Sequence, residues 1–115
     1  MQIVDFEQRP WGCYDVLLET PYCKVKEITV DPGQKLSYQS HEYRQEQWTV
    51  VKGKLTVVLN DETVTIPAGH SIHIPLGAKH RAWNTTDEPI SFIEVQTGTY
   101  FGEDDITRYE DDYGR

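Results

Sequence analysis

Residues 54–69, Lys54-Leu55-Thr56-Val57-Val58-Leu59-Asn60-Asp61-Glu62-Thr63-Val64-Thr65-Ile66-Pro67-Ala68-Gly69, carry the pattern that decides the fold. Leu55, Val57 and Leu59 recur at a period of two, which puts them on one face of a strand. Asn60-Asp61 reads as a two-residue hairpin turn, because both residue types tolerate the left-handed backbone that such turns need. Thr63 to Ile66 is then the returning strand, and Pro67-Ala68-Gly69 turns the chain again.

The same pattern extends in both directions. Cys13 to Leu18, Lys24 to Val30, Lys35 to His41 and Gln47 to Val51 read as strands before it, and Ser71 to Ile74, His80 to Asn84 and Ile90 to Gln96 after it. Asp31-Pro32-Gly33 and Pro75-Leu76-Gly77 are turns by their proline and glycine chemistry. No stretch of normal helical length has a helical period. Many short strands without intervening helices predict an all-β fold, an antiparallel sandwich or small barrel.

Composition sets the outer limits. The chain has 115 residues, 37% hydrophobic and 26% charged, and its 11 Lys+Arg against 19 Asp+Glu give a net charge of −8. One domain over 1–115 is expected, with a barrel over 13–97 and an acidic tail over 98–115. In the tail, Glu103, Asp104, Asp105, Glu110, Asp111 and Asp112 interleave with Tyr100, Phe101, Ile106, Tyr109 and Tyr113, which predicts a short helical or irregular segment docked on the barrel. The cations form no run, so neither nucleic acid nor an anionic membrane surface is an expected partner. The first residues carry Asp5 and Glu7 and no apolar stretch, so they do not read as a signal peptide; a cytoplasmic setting with Cys13 and Cys23 reduced is expected.

Two spacings carry the chemistry: Gly33-x5-Gln39-x-His41-x4-Glu46-x6-Gly53 and Gly69-x5-Pro75-x-Gly77-x2-His80-x3-Asn84. They resemble the two cupin motifs. The family pattern has His-x-His in the first motif; here Gln39 takes the first histidine's place, and His41, Glu46 and His80 stand where the other metal ligands stand. The resemblance implies a jelly-roll antiparallel barrel with a metal at its centre. Side-chain parity agrees: Ser37, Gln39 and His41 share one strand face, Glu46 and Trp48 share a face on the next, and His80 arrives from a distant strand. The alternative is a polar barrel interior in which these groups hydrogen-bond each other without an ion. Two imidazoles, one carboxylate and one amide suit one divalent ion, zinc foremost, with manganese, cobalt, nickel or ferrous iron also compatible. Such a site carries a charge near +1 and favours an anionic intermediate such as an enediolate.

The resemblance narrows further. Arg9-Pro10-Trp11-Gly12, Pro32-Gly33-Gln34-Lys35-Leu36-Ser37, Lys79-His80-Arg81, Ile93-Glu94-Val95-Gln96-Thr97-Gly98 and Tyr100-Phe101-Gly102-Glu103-Asp104-Asp105-Ile106 are similar to the C-terminal mannose-6-phosphate isomerase domain of type II phosphomannose isomerases. In that family the domain usually follows a mannose-1-phosphate guanylyltransferase domain, so the resemblance implies a free-standing isomerase domain with a separate guanylyltransferase as an expected partner; cupins often pair as homodimers, and a homodimer is expected. Ser37-x-Gln39-x-His41 also resembles the metal-site strand of type I phosphomannose isomerases, where a cation stands two residues before the ligand Glu, as Arg44 does here. Type II members commonly show a run of histidines in place of His41-Glu42-Tyr43, and His in place of Gln47.

The implied reaction is metal-dependent aldose–ketose exchange on a small phosphorylated sugar. His73, Glu94 and Tyr43 are the candidates for the base that moves the proton. Lys35, Ser37, Arg44, Lys79 and Arg81 are the candidates for binding the substrate, because bidentate Arg and point-charge Lys are the natural phosphate partners. Two other readings stay open. His41, Glu46 and His80 alone are a two-histidine, one-carboxylate set of the non-haem iron oxygenase kind, and a non-catalytic cupin binding a sugar or nucleotide-sugar would need no base.

Overall fold

The computed structural model describes residues 3–111, so the last tail residues, 112–115, with Asp112 and Tyr113, lie outside the described residues. The elements are β1 (Asp5–Arg9), β2 (Gly12–Glu19), β3 (Cys23–Val30), β4 (Tyr38–Ser40), β5 (Arg44–Lys52), β6 (Lys54–Leu59), β7 (Glu62–Pro67), β8 (Ser71–Ile74), β9 (His80–Trp83), β10 (Ile90–Gly98) and β11 (Thr107–Glu110). No helix occurs among the described residues. All strand pairs are antiparallel. They form a six-stranded sheet, β1-β2-β3-β10-β5-β8, and a five-stranded sheet, β11-β4-β9-β6-β7.

The hairpin that opens the sequence reading folds as its residues dictate. Leu59 pairs with Glu62 across Asn60 and Asp61, whose φ of 48° and 68° are the paired left-handed angles of a type I′ turn. That register leaves Leu55 and Val57 fully buried. They join Val30, Val50, Trp48, Ile90 and Phe92 in one core between the sheets. Each inward residue sits two positions from the next, so burial of one face fixes the register of the whole strand.

Three segments depart from the sequence expectation. Lys35 to His41 is strand only at Tyr38–Ser40, and Lys35 keeps a single bridge to Trp83. β1 is an added edge strand whose residues are mostly exposed. The tail, expected as helical or irregular, is irregular up to Ile106 and then adds β11, with Thr107 opposite Ser40 and Arg108 opposite Gln39. β1 and β11 pack little apolar surface, so an apolar period cannot reveal them.

Gly98 ends β10 where it crosses the start of β5. Its φ is 149°, and a Cβ there would lie 2.2 Å from the Tyr43 carbonyl oxygen, a backbone atom that cannot swing aside. Gly98→Ala should therefore destabilise the protein by about 2 kcal/mol or more. A denaturant midpoint shift much smaller than that would show that β5 and β10 can part without loss.

Candidate metal centre

The inward row of the six-stranded sheet turns polar at one end. Lys26 on β3 and Trp48 on β5 both pair with Glu94 on β10, and in the next row Gln96 pairs with Glu46. Inward Ile28 and Val30 follow Lys26 on β3, and Ile90 and Phe92 precede Glu94 on β10, so the polar groups stand on an otherwise apolar face. The other sheet brings Gln39 opposite His80, and His41 follows β4 in a bend. Ser37, Gln39, His41, Arg44, Glu46 and Glu94 line one cavity of about 120 Å³. His80 stands behind it, 2% exposed.

His41, Glu46 and His80 each offer a ligand atom, all within 4.8 Å of one another. Glu46 is the bridge: Oε2 is 3.6 Å from His41 Nδ1 and Oε1 is 3.7 Å from His80 Nε2. His80 Nδ1 lies 3.0 Å from the Ala78 carbonyl, to which it can only donate. The His80 Nε2 lone pair therefore faces Glu46, the arrangement that prepares an imidazole for a metal. Burial first, then Arg44 and His80, pulls His41 down to about 3, and burial lowers His80 as well. Both rings are neutral at ordinary pH, as metal ligands must be. The donor set fits one divalent ion, with Gln39 beside it on the cavity wall.

Arg44 complicates that fit. Its Nε donates to Glu46 Oε2 at 2.9 Å and its Nη2 is 2.9 Å from His41 Nε2. A guanidinium can only donate, so Nε2 accepts. Ligation through Nε2 would consume that lone pair, and ligation through Nδ1 would leave the proton on Nε2. Either way the Arg44–His41 bond must be released. Arg44 and a metal are rival cations for one pair of ligands.

Glu94 is wholly inside. The Trp48 indole N–H is shared between Glu46 Oε1 at 2.9 Å and Glu94 Oε1 at 3.2 Å, and Gln96 Nε2 donates to Glu94 Oε2 at 2.8 Å. Burial first, then the adjacent Glu46, pushes the Glu94 carboxyl up to about 7 against the pull of Lys26. At the cavity mouth Glu103, from the tail, lies between two buried cations: Oε1 is 2.5 Å from Lys26 Nζ and Oε2 is 3.6 Å from Arg44 Nη1. Burial would raise Glu103, but Lys26 and then Arg44 outweigh it and hold it at about 2.

The other residues singled out in the sequence lie elsewhere. His73 is exposed on β8 and its ring nitrogen meets Gln47 at 3.3 Å; it shares the outward face with Ser71, while Ile74 and Ile72 point inward. Tyr43 is 53% exposed and packs on Tyr100, because the bend between β4 and β5 breaks the parity that would have turned it inward. Lys35 lies over the Trp83 ring and Lys79 over the Tyr109 ring, at 4.8 Å and 4.5 Å. Arg81 Nε donates to the Leu36 carbonyl at 2.7 Å, and Arg81 does not line the cavity. The cations that do line the cavity beside Arg44 are Arg9, Lys26 and Arg108. Lys26 was readable, as a lysine in phase with Ile28 and Val30 on an alternating strand.

Comparison with known proteins agrees with this geometry. A family model described as mannose-6-phosphate isomerase C-terminal matches residues 2–111. The chain is 49% identical over 107 residues to the xanthan biosynthesis protein XanB of Xanthomonas campestris, covering 93% of this chain and 23% of that protein. It is 47% identical over 107 residues to the mannose-1-phosphate guanylyltransferase ManC of Salmonella typhimurium, covering 93% of this chain and 22% of that protein. The chain thus spans less than a quarter of the length of these relatives. Among solved structures, a double-stranded β-helix protein from Klebsiella pneumoniae superposes with a TM-score of 0.73 at 28% identity, covering 83% of this chain and 76% of that one.

Two outcomes follow from the geometry. His80→Ala should lose zinc on dialysis, whereas Arg44→Met should bind zinc at least about tenfold more tightly than the parent; isothermal titration measures both, and unchanged affinity in Arg44→Met would mean the arginine does not compete. Glu103 has a folded-state pKa below its ordinary 4.5, so between 4.5 and about 2 the unfolded chain binds the extra proton and the stabilisation fades as pH falls. In phosphate-free buffer the parent should therefore be more stable than Glu103→Gln near neutrality, with the gap closing through that acid window.

Proposed function

Since the chain belongs to the mannose-6-phosphate isomerase C-terminal family, we propose that it is a metal-dependent sugar-phosphate isomerase that interconverts an aldose and a ketose phosphate, mannose 6-phosphate first among them. The observation that carries this reading is a buried carboxyl, Glu94, held near neutral pKa beside the His41, Glu46 and His80 cluster in one cavity. Isomerisation needs a base whose pKa lies near working pH, so that it can take a proton and return it. In the forward direction the Glu94 carboxylate removes the proton from C2 of the aldose, the C2–H electrons form the C1–C2 double bond of an enediolate, and the resulting acid delivers the proton to C1. The C2 hydroxyl proton moves to O1, and the ketose is complete with no net change in protons.

His41, Glu46 and His80, with Gln39 beside them, would hold the ion, zinc foremost. When bound, it supplies a positive charge that polarises the sugar oxygens and offsets the enediolate. Gln96 and Trp48 orient Glu94 by their hydrogen bonds. Ser37, buried on the cavity wall, would meet a sugar hydroxyl. A cytoplasmic homodimer working with a guanylyltransferase completes the proposal; the link to a guanylyltransferase is supported by a relative that carries that activity in its name. One observation favours a second reading: two histidines and one carboxylate are the set used by non-haem iron oxygenases.

A coupled assay with mannose 6-phosphate on zinc-loaded protein should show turnover, and Glu94→Gln should lower kcat by about 10²–10⁴ while zinc content stays unchanged. Oxygen uptake with ferrous iron and no aldose–ketose exchange would select the second reading. Ligand binding without any turnover across a panel of phosphosugars would leave a binding module.

A further inference from the structure

Glu103 reaches the cavity from outside the barrel. It lies in the irregular segment between β10 and β11, and both ends of that segment are fastened: the Thr99 amide donates to the Tyr43 carbonyl at 3.0 Å, and β11 pairs with β4. Between these ends the Asp105 carboxylate accepts from the Glu42 and Tyr43 amides at 3.2 Å and 3.0 Å. Only the Glu103 carboxylate is carried over the mouth, where it is half exposed while its two partners are buried.

Those partners are unusual for a structural ion pair. Lys26 is 5% exposed, with its Nζ 4.1 Å from the centre of the Tyr14 ring. Arg44 is also 5% exposed, and its Nη1 is buried with no hydrogen-bond partner, 3.6 Å from the nearest Glu103 oxygen. A buried guanidinium N–H left unbonded is expensive, so this pair of cations is incompletely served by one carboxylate. A tetrahedral anion offers more oxygens in more directions than a planar carboxylate and could meet Lys26 Nζ and Arg44 Nη1 together. Arg9 and Arg108 line the same cavity and add to its attraction for an anion.

We propose that Lys26 and Arg44 form the subsite for the phosphate of the substrate, and that Glu103 fills this subsite from within the chain until the phosphate displaces it. The name of the ligand rests on the phosphosugar reading above; the anion subsite itself rests on the two cations, the unbonded Nη1 and the tail carboxylate. Substrate entry then exchanges one anion for another, and the cations are never left uncompensated in a buried site.

The test uses inorganic phosphate and needs no turnover. Glu103→Gln keeps the shape of the side chain and removes its charge, so phosphate, followed by isothermal titration on the full chain, should bind about tenfold or more tightly than to the parent, the gain expected when a site occupied nine-tenths of the time by its own tail is set free. Adding Lys26→Met to Glu103→Gln should abolish that binding. Equal or weaker affinity in Glu103→Gln, or phosphate binding that survives Lys26→Met, overturns the proposal; the latter assigns the anion to the metal instead. Should either variant fail to fold, the parent decides the matter by amide NMR: phosphate should shift the Gly102 to Asp105 signals saturably and leave the β6–β7 hairpin unmoved, and silence at Glu103 overturns it. Phosphate binding without isomerase turnover would remove the reaction and leave the subsite standing, and turnover with no phosphate effect at Glu103 would do the reverse.

Discussion

The Trp48 indole N–H faces Glu46 and Glu94 together, and two buried carboxyl groups are thereby held side by side on the cavity wall. Burying one carboxylate needs a compensating charge or a proton, and burying two beside each other needs both. The cavity supplies them unequally. Arg44 bonds Glu46 directly, while Lys26 pairs with Glu94 across the strands and Glu94 sits near neutral pKa. Glu103 then answers the cationic excess at the mouth. The split gives the two acids different characters: Glu46 has a fixed cationic neighbour, and Glu94 is held near neutral pKa.

Arg44 connects these roles. Its three nitrogens face three different groups: Nε to Glu46, Nη2 to His41, Nη1 toward Glu103. Release from His41 by an incoming metal would free Nη2 for the same anion that Nη1 already faces. Ion and anion, if both bind, would reinforce one another through a single side chain, a thermodynamic coupling with a physical carrier.

What could be read from the residues alone divides along the same physical line. Alternation in Leu55, Val57 and Leu59 and the Asn60-Asp61 turn disclosed an antiparallel β fold, because burial of one face imposes that period. The spacing of His41, Glu46 and His80 disclosed the cluster, because those residues lie on or beside inward faces of the two sheets that enclose the cavity. Parity failed where strands stop: the bend at His41 to Tyr43 turned Tyr43 outward, and the break before Tyr38 carried Lys35 to Trp83 instead of the cavity. β1 and β11 left no apolar trace. Glu103 left none either, since its partners Lys26 and Arg44 lie far from it in the chain and only the return of the tail across β4 brings them together.

That return has a polymer consequence. The segment from Thr99 to Ile106 is a short tether fastened at both ends, so its carboxylate is present at the cavity mouth at a high effective concentration, of the order of millimolar for a short flexible link. A free anion must compete with that local concentration. On the subsite proposed above, the apparent affinity of the cavity would be set partly by loop length: inserting residues between Gly98 and Thr107 would dilute the tethered carboxylate and sensitise the site to scarcer ligands.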